Sequence, residues 1–249
     1  MARPQNASWV QQWWRALLAE VVSTALLVWV GCATMVPVGE HKVLLSFPAL
    51  GFGFAVLANI MAFGEASGAH MNPAVTLGAV LYGQLPPLAA AAYVVAQLLG
   101  ATLGFGGLMA TSPAAAIAGS VGVTLPGAGV SALSATVTEA LITALLVLSI
   151  CGVWAGHDPA RPDAAAPIKI GLVVAGLVFA AGPSTGASLN PARSFAPALL
   201  QGVWDQHWVY WVGPLLGGAL AALLHRWVVA PPRAAPRDAD AQIPLNDKP

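Results

Sequence analysis

The chain has 249 residues with ten basic and ten acidic side chains, so its formal net charge is zero, and 57% of its residues are apolar against 8% charged. A soluble domain is nearer about a quarter charged; with a mean hydropathy of +0.74 this chain has too little polar material for a water-facing surface and reads as an integral membrane protein. Zero net charge offers nothing to a nucleic acid or an acidic partner, and two cysteines, Cys32 and Cys151, both inside apolar runs, suggest neither a disulfide framework nor a zinc site.

Sparse charges delimit uncharged stretches at 21 to 39, 43 to 64, 66 to 138, 140 to 157, 170 to 192 and 206 to 224. A membrane span needs roughly 20 apolar residues, so most of these hold one helix each. The stretch 66 to 138 is too long for one, and Pro73, Pro86-Pro87, Pro113 and Pro126-Gly127 break it into one span and two loops. After an N-terminal tail over 1 to 12, helices are predicted at 13 to 36, 47 to 65, 88 to 110, 133 to 154, 167 to 182 and 207 to 229. With both termini cytoplasmic, Arg3, Arg15, Arg161, Lys169, Arg226, Arg233, Arg237 and Lys248 fall inside and Lys42 falls in an outer loop. Arg193 fits neither group. The first helix lacks a small-residue cleavage site and reads as a span rather than a signal, and the tail over 231 to 249 reads as disordered and cytoplasmic.

The chain also repeats itself. A shift of 119 residues matches Glu20, Thr24, Ala25, Leu27, Val28 and Cys32 to Glu139, Thr143, Ala144, Leu146, Val147 and Cys151. A shift of 118 matches the run at 67 to 74 to the run at 185 to 192, both ending in Asn-Pro-Ala, and a shift of 117 matches Tyr93 to Tyr210. Each half, about 13 to 110 and 133 to 229, contains three spans. An odd number sends the second copy into the membrane from the opposite side, so the halves are related by a pseudo-two-fold axis in the membrane plane, a transporter or channel architecture over 13 to 230. The expected fold is therefore an all-α membrane protein of six transmembrane helices plus two re-entrant half-helices, in inverted three-helix repeats.

The half-helices follow the two boxes, at 75 to 81 and 195 to 200, each too short to span and begun by a proline suited to a first helical turn. Non-helical backbone at membrane depth survives only inside protein or against a wet cavity. The stretches 67 to 71 and 185 to 189 are thus expected to turn carbonyls into a pore, with Asn72 and Asn190 meeting near mid-membrane. The positive ends of two half-helices would repel cations there while the asparagine amides donate to a passing oxygen.

Asn72-Pro73-Ala74, Asn190-Pro191-Ala192, the Arg193 that follows, and a glutamate in the first helix of each half, together resemble the aquaporin (major intrinsic protein) family over about 13 to 230. That resemblance implies a homotetramer with one pore per protomer, passive passage of water or small uncharged solutes, no cofactor and no catalysed reaction. It further implies a selectivity filter of Phe52, Val178, Ala187 and Arg193. Val178 stands where strictly water-selective members have histidine, and Ala187 where many animal members have cysteine. The exchange widens one side of the aperture and makes it more apolar, which suits glycerol or urea. Ser194, Ala198, Tyr210 and Trp211 are similar to the water-channel branch instead, so the expectation is a channel of that ancestry with a relaxed filter, nearest to insect-type members. A strictly water-selective channel and a junctional protein on the same fold are the alternatives, and a plasma-membrane location is expected.

An intramembrane charge without a function is costly, which assigns Arg193 to the pore. Glu20 and Glu139 are read as supports that accept hydrogen bonds from the re-entrant loops, and Leu27, Val56, Leu146 and Val174 as apolar pore walls. His70 is read as a structural histidine with pH-sensitive gating as the alternative, Cys32 and Cys151 as small core residues, and the pairs Gly100 with Gly104 and Gly213 with Gly217 as close helix contacts. The run 182 to 186 resembles a serine-protease loop only superficially: the histidines that could share its depth are His70, His207 and His225, and no protease logic explains two Asn-Pro-Ala boxes.

Overall fold

A computed structural model describes residues 8–37, 39, 43–117, 119–158 and 160–230. Arg3, Lys42, Arg233, Arg237, Lys248 and the tail over 231 to 249 lie outside the described residues. In chain order the helices are α1 (Trp9–Ala33), α2 (Ser46–Ser67), α3 (Pro73–Tyr82), α4 (Pro87–Thr111), α5 (Ala114–Ile117), α6 (Ala132–Ala155), α7 (Ala166–Thr185), α8 (Pro191–Gln201) and α9 (Val209–Leu224), the last continued by a π-helical turn, His225–Val229. Among the described residues there are six helices long and apolar enough to cross a membrane, α9 counting together with its π turn. α3 and α8 are the half-helices.

The helix boundaries differ from those expected where local capping sets them. α1 begins at Trp9 rather than residue 13, because Ser8 and Gln11 form a reciprocal cap: the Gln11 N–H donates to Ser8 Oγ at 3.3 Å and the Ser8 N–H to Gln11 Oε1 at 2.8 Å. Residues 9 to 12 are therefore helix, not tail. Each half-helix starts at the proline of its box, with the asparagine itself as N-cap. α7 runs on to Thr185 instead of stopping at 182, carrying Pro183 in its last turn, where Gly186 closes it with φ 79°. The short α5 interrupts what was expected to be plain loop.

Burial follows the repeat. On α1 the outward-facing stripe is Trp14, Leu18, Val22 and Leu26; on α6 it is Leu133, Val137, Leu141 and Leu145, the same positions 119 residues on. The opposite faces bury Glu20, Thr24 and Leu27, and Glu139, Thr143 and Leu146. A four-residue spacing keeps each stripe on one side of its helix, so the apolar side faces outward and the polar side faces the protein interior.

α1 packs chiefly on α4, and α6 on α9. A Cβ on Gly100 or Gly104 would overlap the carbonyl of Val21 or Ala25, and one on Gly217 the carbonyl of Ala140. Only glycine permits backbones this close. Between the halves, α2 crosses α7 at Gly53 and Gly171, where a Cβ on either would stand 2.6 or 2.7 Å from the other's carbonyl oxygen. That reciprocal contact, between residues 118 apart, marks the pseudo-two-fold axis. Each half-helix packs on the third spanning helix of the other half, α3 on α9 and α8 on α4, which locks the repeats together.

Candidate functional site

Each re-entrant loop is tied to a buried glutamate of its own half. Glu20 accepts from Ser67 Oγ at 2.6 Å, the His70 N–H at 2.9 Å and the Met71 N–H at 2.8 Å. Glu139 accepts from Thr185 Oγ1 at 2.7 Å, the Ser188 N–H at 2.9 Å and the Leu189 N–H at 2.8 Å. These are the same three positions, 118 residues apart. The support matters because both loops are strained: Ala69 and Met71, and their counterparts Ala187 and Leu189, all have φ between 45° and 55°. A left-handed residue with a Cβ costs about 1–2 kcal/mol, whereas a hydrogen bond to a charged group contributes about 1.5–3 kcal/mol. Three such bonds per loop therefore outweigh two such residues.

Two tyrosine hydroxyls, Tyr93 to the Ser67 carbonyl at 3.1 Å and Tyr210 to the Thr185 carbonyl at 2.9 Å, hold the loop starts in the same duplicated way. The halves differ at their third layer. Gln97 Nε2 donates at 2.8 Å both to Glu20 and to Thr76 Oγ1, and His70 Nδ1 lies 3.2 Å from that same hydroxyl. In the other half Ser194 replaces Thr76, and it pairs with Ser188 Oγ at 2.6 Å and with Thr124 Oγ1 at 2.8 Å.

The two boxes then meet. Asn72 Nδ2 donates to the Leu189 carbonyl at 2.8 Å, and Asn190 Nδ2 to the Met71 carbonyl at 2.7 Å. Their Oδ1 atoms cap the half-helices, accepting from the Ala74 N–H and from the Ala192 and Arg193 N–H groups. Every polar atom but one N–H of each amide is thereby used. Two helix N-termini, each equivalent to about half a positive charge, thus point at one place.

Arg193, which fitted neither side of the membrane, is held from three directions. Nη1 donates to the Gly122 carbonyl at 2.5 Å, Nη2 to Met35 Sδ at 3.4 Å, and Cζ lies 4.8 Å from the centre of the Phe52 ring. Phe52 has room for this because Gly31 carries no side chain where its ring lies. Phe52, Val178, Ala187 and Arg193 border one cavity of about 140 Å³, together with Asn72 and Asn190 and with Leu27, Val56, Leu146 and Val174. The repeat carries Phe52, Val75, Ile60 and Ala69 onto Ile170, Arg193, Val178 and Ala187, and all eight border the cavity. The four filter positions thus include one charged side chain, Arg193, whereas their four counterparts are all apolar; His70 borders the cavity as well. Among the described residues no three His, Cys, Asp or Glu side chains gather as a metal site.

The model of the family described as "Major intrinsic protein" matches residues 7–225. The chain belongs to the major intrinsic protein family. It is 43% identical over 219 residues to "Aquaporin TIP4-4" of Zea mays, covering 85% of both chains. It is 42% identical to the "Lens fiber major intrinsic protein" of Gallus gallus over 88% of this chain and 82% of that one. Against "Aquaporin-4" of Mus musculus it is 36% identical, covering 90% and 70%. In fold it is similar to the aquaglyceroporin from Plasmodium falciparum, with a TM-score of 0.78 at 23% identity, covering 87% of this chain and 97% of that one. Members of this family are channels, so this aquaporin-family protein is a membrane channel and not an enzyme.

Further pairs and contacts complete the site of this major intrinsic protein. Thr76 with Ser194, and Gly53 with Gly171, were visible as further matches at the 118-residue shift. Gln97 has no duplicate to reveal it. Gly122, Thr124 and Met35 reach Arg193 and Ser194 from a loop and a helix end distant in sequence, and no local pattern announces them.

Proposed function

We propose that the protein conducts water and small uncharged solutes, glycerol and urea among them, and excludes ions and protons. The observation that carries this reading is the single cavity on which both box asparagines and Arg193 converge. Phe52, Val178, Ala187 and Arg193 serve as its selectivity filter. Arg193 and the facing half-helix ends give the narrow region a positive potential that opposes cations, and the free N–H of each asparagine receives a water oxygen. Because Arg193 stacks on Phe52, the open side of the ring is the one bounded by the small side chains Val178 and Ala187, which supports passage of a carbon-bearing solute. Leu27, Val56, Leu146 and Val174 form walls with nothing to bind a solute along its way.

The basic residues Arg15, Arg161, Lys169 and Arg226 all lie at helix ends or loops on one side of the six spans, which supports cytoplasmic termini by the positive-inside rule. A homotetramer in the plasma membrane completes the reading. Proteoliposomes challenged separately with water, glycerol and urea gradients test it: all three are expected to pass above the empty-vesicle rate. Passage of water alone would restrict the channel to water.

Mercurials are expected to leave the pore open. Ala187 brings no thiol to the filter, and Cys32 and Cys151 are both fully buried, whereas reaction requires an accessible thiolate. Strong block by a small mercurial, removed by Cys32→Ser or Cys151→Ser, would show that one of these helices turns a different face to the pore.

A further inference from the structure

The three guanidinium nitrogens of Arg193 have unequal partners. Nη1 has the Gly122 carbonyl, Nε has none among the described residues, and Nη2 has the thioether of Met35. A thioether is a weak acceptor, so Nη2 can exchange it for any competing oxygen. Met35 stands just past the end of α1 and is only partly buried, whereas Met71, which borders the cavity, is 2% exposed. Its counterpart 119 residues on is Trp154, so the sulfur is no part of the duplicated scaffold.

We propose that Met35 is an oxidation site, converted by hydrogen peroxide to the sulfoxide, whose new oxygen binds Arg193 Nη2 and slows water passage. This inference rests on the conduction reading above. The sulfur lone pair attacks one peroxide oxygen; an S–O bond forms as the O–O bond breaks. Sulfur loses two electrons and the peroxide gains them, and the departing hydroxide takes the proton of the transferred oxygen and leaves as water. Hydrogen peroxide is uncharged and close to water in size, and Met35, only partly buried just past the end of α1, is open to it there. The product replaces an apolar thioether by a polar group. Hydrogen bonds to an ionised donor are the strong ones, so Nη2 no longer yields to a passing water, and the added oxygen occupies space beside the filter.

The test treats proteoliposomes carrying the full chain with hydrogen peroxide, then reads water permeability by stopped flow and methionine oxidation by peptide mass. Met35 is expected to gain one oxygen while Met71 stays unmodified, and permeability to fall about fivefold, equivalent to ~1 kcal/mol on the passage barrier. A methionine sulfoxide reductase pair should restore both. Met35→Leu, compared with its own untreated sample, should show no loss, and Met61→Leu, which removes a methionine 70% exposed on the outer surface, should respond like the parent. An unmodified Met35, or an oxidised Met35 with unchanged permeability, overturns the proposal. A parent that passes no water before treatment overturns the conduction reading and the gating with it, and the untreated arm tells that case apart.

Discussion

Glu139→Gln is expected to abolish water passage and to destabilise the protein by roughly 3 kcal/mol, since each buried donor left without an acceptor costs about 1–3 kcal/mol. The geometry leaves the amide no good orientation. The Ser188 N–H and Thr185 Oγ1 use Oε1, and the Leu189 N–H uses Oε2, so a glutamine must point its NH2 at one backbone N–H. The loop then keeps only part of its tether against the left-handed backbone at Ala187 and Leu189, with one backbone N–H facing another donor. Both Asn190 and Arg193 depend on that loop for their positions. The corresponding Glu20→Gln should be milder. Gln97 lies beside Glu20 with its own Oε1 unpartnered and buried, so an amide flip supplies an acceptor to the new NH2, with the Thr76 hydroxyl able to donate to it as well. Among the described residues Glu139 has no such neighbour. Thermal unfolding in detergent, with stopped-flow permeability at matched protein abundance, reads both variants; equal losses would remove Gln97 from this account.

This asymmetry bears on what a single sequence discloses. The spans, the half-helices and the inverted repeat were legible because hydropathy and duplication are both written along the chain: six matches at one shift identified Glu20 with Glu139 before any contact was known. Pairs such as Gly53 and Gly171 were equally legible at the 118-residue shift and needed only to be looked for. Residues without a duplicate were not. Gln97 looks like an ordinary polar residue in an apolar helix, and Gly122 like an ordinary loop glycine, until folding brings one to Glu20 and the other to Arg193. Helix ends slipped for a related reason, because the Ser8–Gln11 cap adds a turn of helix outside the hydropathic run that defined the span.

Val178→His is expected to cut glycerol and urea permeability by about tenfold or more, the equivalent of ~1.4 kcal/mol on the barrier, while leaving water passage close to the parent's. Val178 borders the cavity on α7, beside the section where Phe52 and Arg193 stack at 4.8 Å. On the proposed filter the aperture widens toward the small side chains Val178 and Ala187, so a ring planted at 178 takes width from that side. Water fits in single file through what is left, and the imidazole returns one of the hydrogen bonds it loses on dehydration. Glycerol gains no such relief, because its carbon chain needs width and not another polar partner; discrimination is steric first and hydrogen-bonding second. The readout is the glycerol-to-water permeability ratio of variant against parent, with abundance matched by surface labelling. A ratio that does not move would mean that position 178 does not bound the narrowest section, and the assignment of Phe52, Ala187 and Arg193 to the same ring would fall with it.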